Sequence, residues 1–398
     1  MPALDDTLQQ KLRVLETKRR RRVLKETGRM DGVRVRRSGR ELVSFSCNDY
    51  LGLSHRPEVT RAAKAALDMY GAGAGASRLV TGNYPLYDKL EAALAKCRGT
   101  AAACVFGSGY LANIGTIPAL VGAGDLIIAD KFIHACMVDG ARLSGATVMR
   151  FAHNNLAHCR MLLEANRPEH HHCLLLTETV FSMDGDRAPV SDLAALAKEF
   201  DGWLMVDGAH DFPSPIGRGW RIAPGEGGAI SDALTSAPLP GGEGVIQMGT
   251  LSKAAGSYGG YVCGSEALVE YLKNAARSLI YSTGLPPATV AASLAALEIM
   301  ADEPELVKKP LENARMFTSL LGMKEAQSAI VPLVLKENDK ALAAANLLEE
   351  RGFLVSAIRP PTVPEHTARL RFAFSALHTT EQIEAVAKIV KEQGWLES

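Results

Sequence analysis

No excess of either charge marks this chain of 398 residues, in which 44 Lys and Arg stand against 44 Asp and Glu. Without net charge there is no global field to hold nucleic acid or an anionic membrane, which argues against a general polyanion binder. No apolar run approaches the roughly 20 residues that span a bilayer, and no N-terminal apolar segment leads into a small-residue cleavage site. The expected compartment is the cytoplasm. Cysteine does not form a paired framework: the seven (47, 97, 104, 136, 159, 173, 263) are odd in number, scattered and mostly set in apolar runs, so they read as reduced core thiols. There is also no G-x-x-x-x-G-K-[ST] pattern and no visible internal repeat. A chain of this length, 47% apolar and 22% charged, buries an ample core in two or three domains without metals or disulfides.

The charge that is present is unevenly placed. Residues 1–40 hold 13 Lys and Arg against 5 Asp and Glu. Within this arm Leu8, Leu12 and Leu15 recur at helical spacing and lead into Lys18-Arg19-Arg20-Arg21-Arg22, which predicts an amphipathic helix with a charged face. A solvated face is the ordinary explanation; a cation reaching an acidic substrate, or an RNA contact, are the alternatives. From about residue 100 to 265 short apolar runs alternate with amphipathic stretches: residues 103–106, 126–129, 147–151, 173–177, 203–206 and 245–248. This alternation predicts an α/β fold with a mainly parallel central sheet, its strands covered on both faces. The Ala/Leu-rich stretch 287–300 and the strand-like runs 330–335 and 368–374 predict a smaller C-terminal α+β domain. The expected division is an N-terminal helical arm and segment at 1–58, a large α/β domain at 59–285 and the α+β domain at 286–398. The Gly/Pro-rich run 223–244 reads as an irregular loop.

Ligands of open α/β sheets sit beyond the carboxyl ends of the strands, so the residues that close each apolar run carry the chemistry. One run ends in Asp207-Gly208-Ala209-His210, and another in Gly249-Thr250-Leu251-Ser252-Lys253 with Ala254, Ala255 and Gly256 behind. A lysine among small residues, partly desolvated, works as an amine and forms a Schiff base. Pyridoxal phosphate needs such a lysine, a carboxylate to keep its ring nitrogen protonated, and donors for its phosphate. Lys253, Asp207 and Thr250 supply one of each. Phe106-Gly107-Ser108-Gly109-Tyr110-Leu111 joins a strand to a predicted helix and offers backbone N–H groups to a phosphate, while His134 could stack on a cofactor ring. A lone lysine or histidine would be unremarkable; the combination carries the reading.

The same glycine loop supports a nicotinamide oxidoreductase as a rival. Residues 107–112 fit G-x-G-x-x-A after a strand, and Asp130 closes the next apolar run, 21 residues after Gly109. That reading leaves Lys253 and Asp207 without a purpose. Gly71-Ala72-Gly73-Ala74-Gly75 follows helix-like sequence rather than a strand, and His170-His171-His172 suits a loop, because consecutive side chains cannot all face one metal ion.

Several segments resemble the α-oxoamine synthases, fold-type I pyridoxal-phosphate enzymes, over about residues 40–390. They are Cys47-Asn48-Asp49-Tyr50-Leu51-Gly52-Leu53, Ser77-Arg78-Leu79-Val80-Thr81-Gly82, Phe181-Ser182-Met183-Asp184-Gly185-Asp186, Thr250-Leu251-Ser252-Lys253 and Ile280-Tyr281-Ser282-Thr283. Ala357-Ile358-Arg359-Pro360-Pro361-Thr362-Val363-Pro364, followed by Ala368-Arg369-Leu370-Arg371, is similar to the branch that makes 8-amino-7-oxononanoate rather than to its glycine-using relatives. The resemblance implies an acyltransferase of biotin biosynthesis that condenses L-alanine with a pimeloyl thioester, on coenzyme A or acyl carrier protein, and releases carbon dioxide and the free thiol carrier. It implies that Lys253 holds the cofactor and acts as general base, that Asp207 pairs with the pyridinium, and that His210 bonds its O3′. Gly109, Tyr110 and Thr250 would meet the phosphate, Ser182 would lie beside the ring, and His134 would stack on the ring and touch substrate. Arg371 would clamp the alanine carboxylate, with Asn48, Thr362 and Arg22 completing the substrate site. A homodimer is implied, with Ser282 and Thr283 reaching the neighbouring subunit's cofactor; no metal is. Where the family pattern has a second acid after Asp207 and a glycine after His210, this chain has Gly208 and Asp211-Phe212-Pro213, and the stretch to Thr250 is longer. Gly208 is expected to affect the loop's shape more than the electronics, and Pro213 and Pro215 to stiffen it.

Overall fold

A computed structural model of the chain describes residues 3–211 and 244–396. Pro213, Pro215 and nearly all of the run 223–244 lie outside the described residues. The chain divides into two compact units, one of residues 48–182 and 186–309, the other of 1–47, 183–185 and 310–398.

The larger unit is built on a seven-stranded sheet of β1 (Ala102–Phe106), β2 (Leu126–Asp130), β3 (Thr147–Phe151), β4 (Cys173–Glu178), β5 (Trp203–Asp207), β6 (Val245–Thr250) and β7 (Gly260–Gly264), in the order β1-β7-β6-β5-β4-β2-β3. Every neighbouring pair is parallel except the two made by β7. The expected mainly parallel sheet is therefore present. Alternate residues feed two cores, as an extended chain requires. Ile127, Ala129, Leu174, Leu176 and Met205 enter one, and Leu126, Ile128, Cys173, Leu175, Leu204 and Val206 the other. Burial on both faces is why these strands are continuously apolar in sequence.

The division of the chain differs from the one expected at residues 58 and 286. The helix Pro287–Asp302 buries Val290, Ala296, Leu297 and Met300 and packs against helices Pro57–Tyr70 and Leu86–Arg98, so it belongs to the larger unit. The smaller unit begins again only at Pro310. At the other end, Arg40–Ser44 runs parallel to Phe353–Leu354, which joins residues 1–47 to the C-terminal part of the chain. A second sheet of this unit places Ala368–Ala373 between Ile330–Lys336 and Ser356–Ile358, all antiparallel. Phe45 packs on Phe372 and Phe374 and stacks on His378, with ring centroids 4.0 Å apart in the last case. Burial pushes His378 down to about 4, so it serves this core as a neutral ring.

The arm helix is present as Leu4–Thr17, but Leu8, Leu12 and Leu15 remain exposed, and the basic run 18–22 follows the helix rather than continuing it. His170, His171 and His172 lie in a loop, and no metal-ligating cluster occurs among the described residues. None of the described helices is long and apolar enough to cross a membrane. None of the seven cysteines forms a disulfide among the described residues.

A charged knot closes the carboxyl ends of β2 and β3. His153 bonds Asp130 through Nδ1 at 2.9 Å and Asp186 through Nε2 at 2.8 Å. Burial opposes its charge, but the two carboxylates outweigh burial and hold His153 up at about 10. A folded value above the unfolded one of roughly 6.5 gives stability that is fully present below that pH and is lost as pH rises through the folded value. His153→Gln is thus expected to cost a few kcal/mol at about pH 6 and far less above about pH 10. Urea unfolding at both pH values measures it; an equal loss at both would contradict the assignment.

Candidate active site

β1 and β6 both run antiparallel to β7, so they point the same way as β2, β4 and β5. The carboxyl ends of these strands bring together Phe106, Asp130, Glu178, Asp207 and Thr250 and the loops that follow them. Lys253 stands three residues past the end of β6 in a tight loop, with Gly256 N donating to its carbonyl at 2.9 Å. Its Nζ lies 2.8 Å from His210 Nε2, and His210 Nδ1 lies 2.7 Å from Tyr50 Oη. Tyr50 is fully buried and its hydroxyl donates to Asn48 Oδ1 at 3.2 Å. A tyrosine that donates onward can accept from His210 Nδ1–H, which leaves Nε2 to accept from the lysine. The imidazole is thereby held in one tautomer beside the amine.

Asp207 ends β5 with both oxygens engaged. Oδ1 accepts from Ala209 N at 2.9 Å and Oδ2 from the buried Asn113 amide at 2.8 Å, and the same amide lies 3.0 Å from Cys136 Sγ. Each carboxylate oxygen carries further acceptor capacity, so the group can still take a proton donor from a ligand. Glu178, directly across in the β4–β5 register, is buried and accepts from the backbone N–H groups of Ser182 and His134. Burial, reinforced by the charge of Asp207, pushes it well above the usual carboxylate range. Two adjacent carboxyls in a shielded site do not both ionise. Glu178 is the one that keeps its proton.

His134 caps the helix Ala135–Ser144, its Nδ1 accepting from Cys136 N at 3.2 Å. An imidazole nitrogen that accepts carries no proton, so the neutral tautomer has its hydrogen on Nε2. Burial lowers the His134 pKa, with Lys253 adding to the effect and Asp207 opposing it. The ring is therefore neutral, as stacking on a flat cationic heterocycle requires.

At the other end Ser108 caps the helix Gly109–Leu120 by accepting from Leu111 N at 3.1 Å. A Cβ on Gly109 would come within 3.5 Å of Thr250 Cβ, and one on Gly260 would meet the Ser108 carbonyl carbon at 2.4 Å. Gly260 thus lets the loop lie against β7, whereas a Cβ on Gly109 would make only ordinary contact, and a cradle lies between the helix N–H groups and Thr250. Thr250 Oγ1 donates to Gly259 O at 2.8 Å and lies 2.7 Å from Ser252 Oγ. Tyr110 is half exposed and its hydroxyl donates to Asp139 Oδ2 at 2.6 Å, so its contribution to an anion at this cradle would be its backbone.

These groups fit pyridoxal phosphate: an amine, a carboxylate 46 residues away in sequence but one strand over, a neutral imidazole and an anion cradle. They do not fit a dinucleotide. Among the described residues β1 has only the antiparallel β7 as its sheet neighbour, and Asp130 already accepts from Phe132 N, Asn154 N and His153.

Among the sequence-predicted residues, Lys253, His210, Asp207, His134, Ser182, Gly109, Thr250 and Asn48 all belong to the larger unit. Arg22, Thr362 and Arg371 belong to the smaller one. There Arg22 Nη2 donates to Thr362 Oγ1 at 2.8 Å, and the neighbouring Arg359 is lowered from its ordinary pKa by burial and by the charge of Arg22. Arg371 is buried on Ala368–Ala373, and the nearby Arg369 pairs with Asp184. Glu178 and Asn113 were not anticipated. Glu178 closes an apolar run as Asp207 does and could have been found by the same rule, whereas Asn113, a polar residue within a helix, carries no such signal.

The model for aminotransferase class I and II matches residues 40–390. The chain is 53% identical over 393 residues to 8-amino-7-oxononanoate synthase of Methylobacterium nodulans, covering 99% of this chain and 98% of that one. It is 54% identical to the enzyme of the same name from Methylocella silvestris, covering 90% and 98%. Its fold is similar to that of serine palmitoyltransferase from S. paucimobilis with a bound pyridoxal phosphate–myriocin adduct, with a TM-score of 0.85 at 28% identity over 98% of this chain and 97% of that one. It is also similar to 8-amino-7-oxononanoate synthase of Francisella tularensis, with a TM-score of 0.72 at 28% identity over 89% and 98%. The family model over residues 40–390 and relatives 53% and 54% identical over 98% of their own length show that the chain belongs to the aminotransferase class I and II family and, within it, to the pyridoxal-phosphate-dependent 8-amino-7-oxononanoate synthases.

Proposed function

We propose that the chain condenses L-alanine with a pimeloyl thioester to give 8-amino-7-oxononanoate, carbon dioxide and the free thiol carrier. The observation that carries this reading is the Lys253 amine held 2.8 Å from His210, one strand from the carboxylate of Asp207. When bound, pyridoxal phosphate supplies an electron sink for carbanion chemistry at the amino-acid Cα. Lys253 would hold its aldehyde and then move the Cα proton as general base. Asp207 would keep a proton on the ring nitrogen, His210 would hydrogen-bond O3′, and Ser182 and His134 would bracket the ring. Gly109, Tyr110 and Thr250 would receive the phosphate. The direct experiment measures product with alanine against glycine, and with pimeloyl-coenzyme A against pimeloyl-acyl carrier protein. A protein that stays colourless with pyridoxal phosphate and forms no product would overturn the reading.

Arg371 would take the alanine carboxylate, since a guanidinium fork matches it bidentately, with Asn48, Thr362 and Arg22 serving the acyl substrate. Arg371→Ala is expected to raise the alanine KM by about 30-fold or more while the yellow colour stays, because a buried charge-assisted contact is worth roughly 2–5 kcal/mol. Unchanged alanine saturation would move the carboxylate site elsewhere.

The working unit in this reading is a homodimer in which Ser282 and Thr283 reach the neighbouring subunit's cofactor. Thr283 bridges Ser77, which brings the segment 281–283 beside the loop bearing Leu79 and Val80. Tyr281, Leu79 and Val80 are 72%, 57% and 74% exposed, an apolar surface that a second copy would cover. Sedimentation showing an active monomer at nanomolar concentration would refute this. Seven cysteines without a disulfide support a cytoplasmic location, which activity confined to another cell fraction would contradict.

A further inference from the structure

Arg98 is the last residue of the helix Leu86–Arg98, a position from which a guanidinium ordinarily extends into water. Here its side chain is only 7% exposed. Nε and Nη2 donate to Tyr261 Oη at 3.0 and 2.7 Å. The Tyr261 ring lies over Gly249, where a Cβ would come within 2.3 Å of it, so this glycine is what lets the tyrosine cross β6 and reach the arginine. Beyond the tyrosine, Arg98 Nη1 lies 3.7 Å from Asp211 Oδ2, and Nη2 lies 3.5 Å from the Asp211 carbonyl oxygen. The Asp211 carboxylate is itself 9% exposed, with Arg187 Nη2 at 3.9 Å on its other oxygen.

A buried guanidinium without an anion is strongly unfavourable, so the pair constrains both partners. What it constrains is short. Asp211 directly follows His210, and the turn is tied by Gly208 N to Met248 O at 2.8 Å, Ala209 N to Asp207 Oδ1 at 2.9 Å and Asp211 N to Gly208 O at 3.0 Å. Fixing residue 211 therefore fixes the imidazole one residue earlier. We infer that Arg98 and Asp211 are positioning residues, whose buried ion pair holds the turn 207–211 and so sets the place of His210 against Lys253. The inference rests on the cofactor assignment of the preceding section.

Gly208 provides the means of a specific test. A Cβ there would lie 3.4 Å from Arg98 Nη2 and 3.7 Å from Nη1, with Met248 O at 3.2 Å as the tight neighbour. A carboxylate at 208 would approach the same guanidinium from the other side of the turn, and could replace the anion lost from 211.

Pyridoxal phosphate is titrated into the full chain and into three variants, following affinity and the visible circular dichroism of the bound cofactor, which reports ring orientation. Asp211→Asn is expected to weaken affinity about tenfold and to change the dichroism, and the double variant Gly208→Asp/Asp211→Asn to recover to within about threefold of the parent. Arg98→Lys keeps the cation but loses the fork, and is expected to shift both readouts in the same direction as Asp211→Asn. It supplies the same comparison if Asp211→Asn is recovered only as aggregate. Unchanged affinity and dichroism in the single variants, or a folded double variant that fails to recover, would overturn the inference. Binding by the parent chain in the same titration tests the cofactor assignment separately.

Discussion

Lys253→Ala is expected to lower turnover by at least about 10⁴-fold, the largest effect of any single substitution in this chain, because it removes the group proposed to serve as both nucleophile and general base. The parent protein, yellow with pyridoxal phosphate, should bleach with borohydride and carry the reduced cofactor as a mass adduct on Lys253. The variant should bind the cofactor reversibly and show no adduct. Its fold should persist, since the backbone turn at 253 is held by Gly256 N bonding Lys253 O and by Ser257 N bonding Leu251 O. Peptide mapping decides the matter: an adduct on another lysine, or full activity in Lys253→Ala, would remove this residue from the chemistry.

Asp207→Asn should have the second largest effect, a loss of about 10²–10³ in kcat with the alanine KM changed much less. The amide preserves the shape of the group but cannot hold a proton on the ring nitrogen by charge. The setting sharpens the expectation. Glu178, directly across the strand pair, is held well above the usual carboxylate range and so adds no second negative charge beside position 207. The asparagine also meets the Asn113 amide, which now donates at 2.8 Å to a carboxylate oxygen, so a second loss comes from a poorer acceptor at that bond. Gly208→Asp is the control, because the Cβ it adds faces Arg98 and Met248 O and the cofactor band should hardly change. A variant Asp207→Asn that kept most of its activity while Gly208→Asp bleached the band would reverse the assignment of the two positions.

The main residues of the site were legible because each stands in a local pattern. Asp207, Thr250 and Lys253 follow apolar runs that could only be buried strands, and the rule that ligands gather at carboxyl ends of strands pointed to them before their contacts were known. His210 came with Asp207, three residues away in the same turn. The departures at Gly208 and Asp211 were visible too, but their meaning was not. Only the placement of Arg98, more than 100 residues earlier, shows that position 208 faces a cation and that Asp211 pairs with it.

Domain limits illustrate the same divide from the side of packing. Composition changes near residue 286, yet the Ala/Leu-rich helix Pro287–Asp302 stays with the larger unit, because the surfaces that bury it come from helices beginning at Pro57 and Leu86. Periodicity records that a helix has a buried face; it does not record against what.

By itself the sequence determined the class of fold, the parallel strands, the loops that end them and the lysine and acid proposed for the site, since hydrophobic period, strand length and turn residues are all set within a few neighbours along the chain. Tertiary structure alone decided that Glu178 faces Asp207, that Asn113 and Cys136 lie beneath that acid, and that Tyr50 fixes the proton on His210. Those pairings depend on strand order and register between segments up to 160 residues apart. Burial then acts on the groups so joined, pushing the Glu178 carboxyl well above its usual range, a consequence of low dielectric that no local pattern encodes.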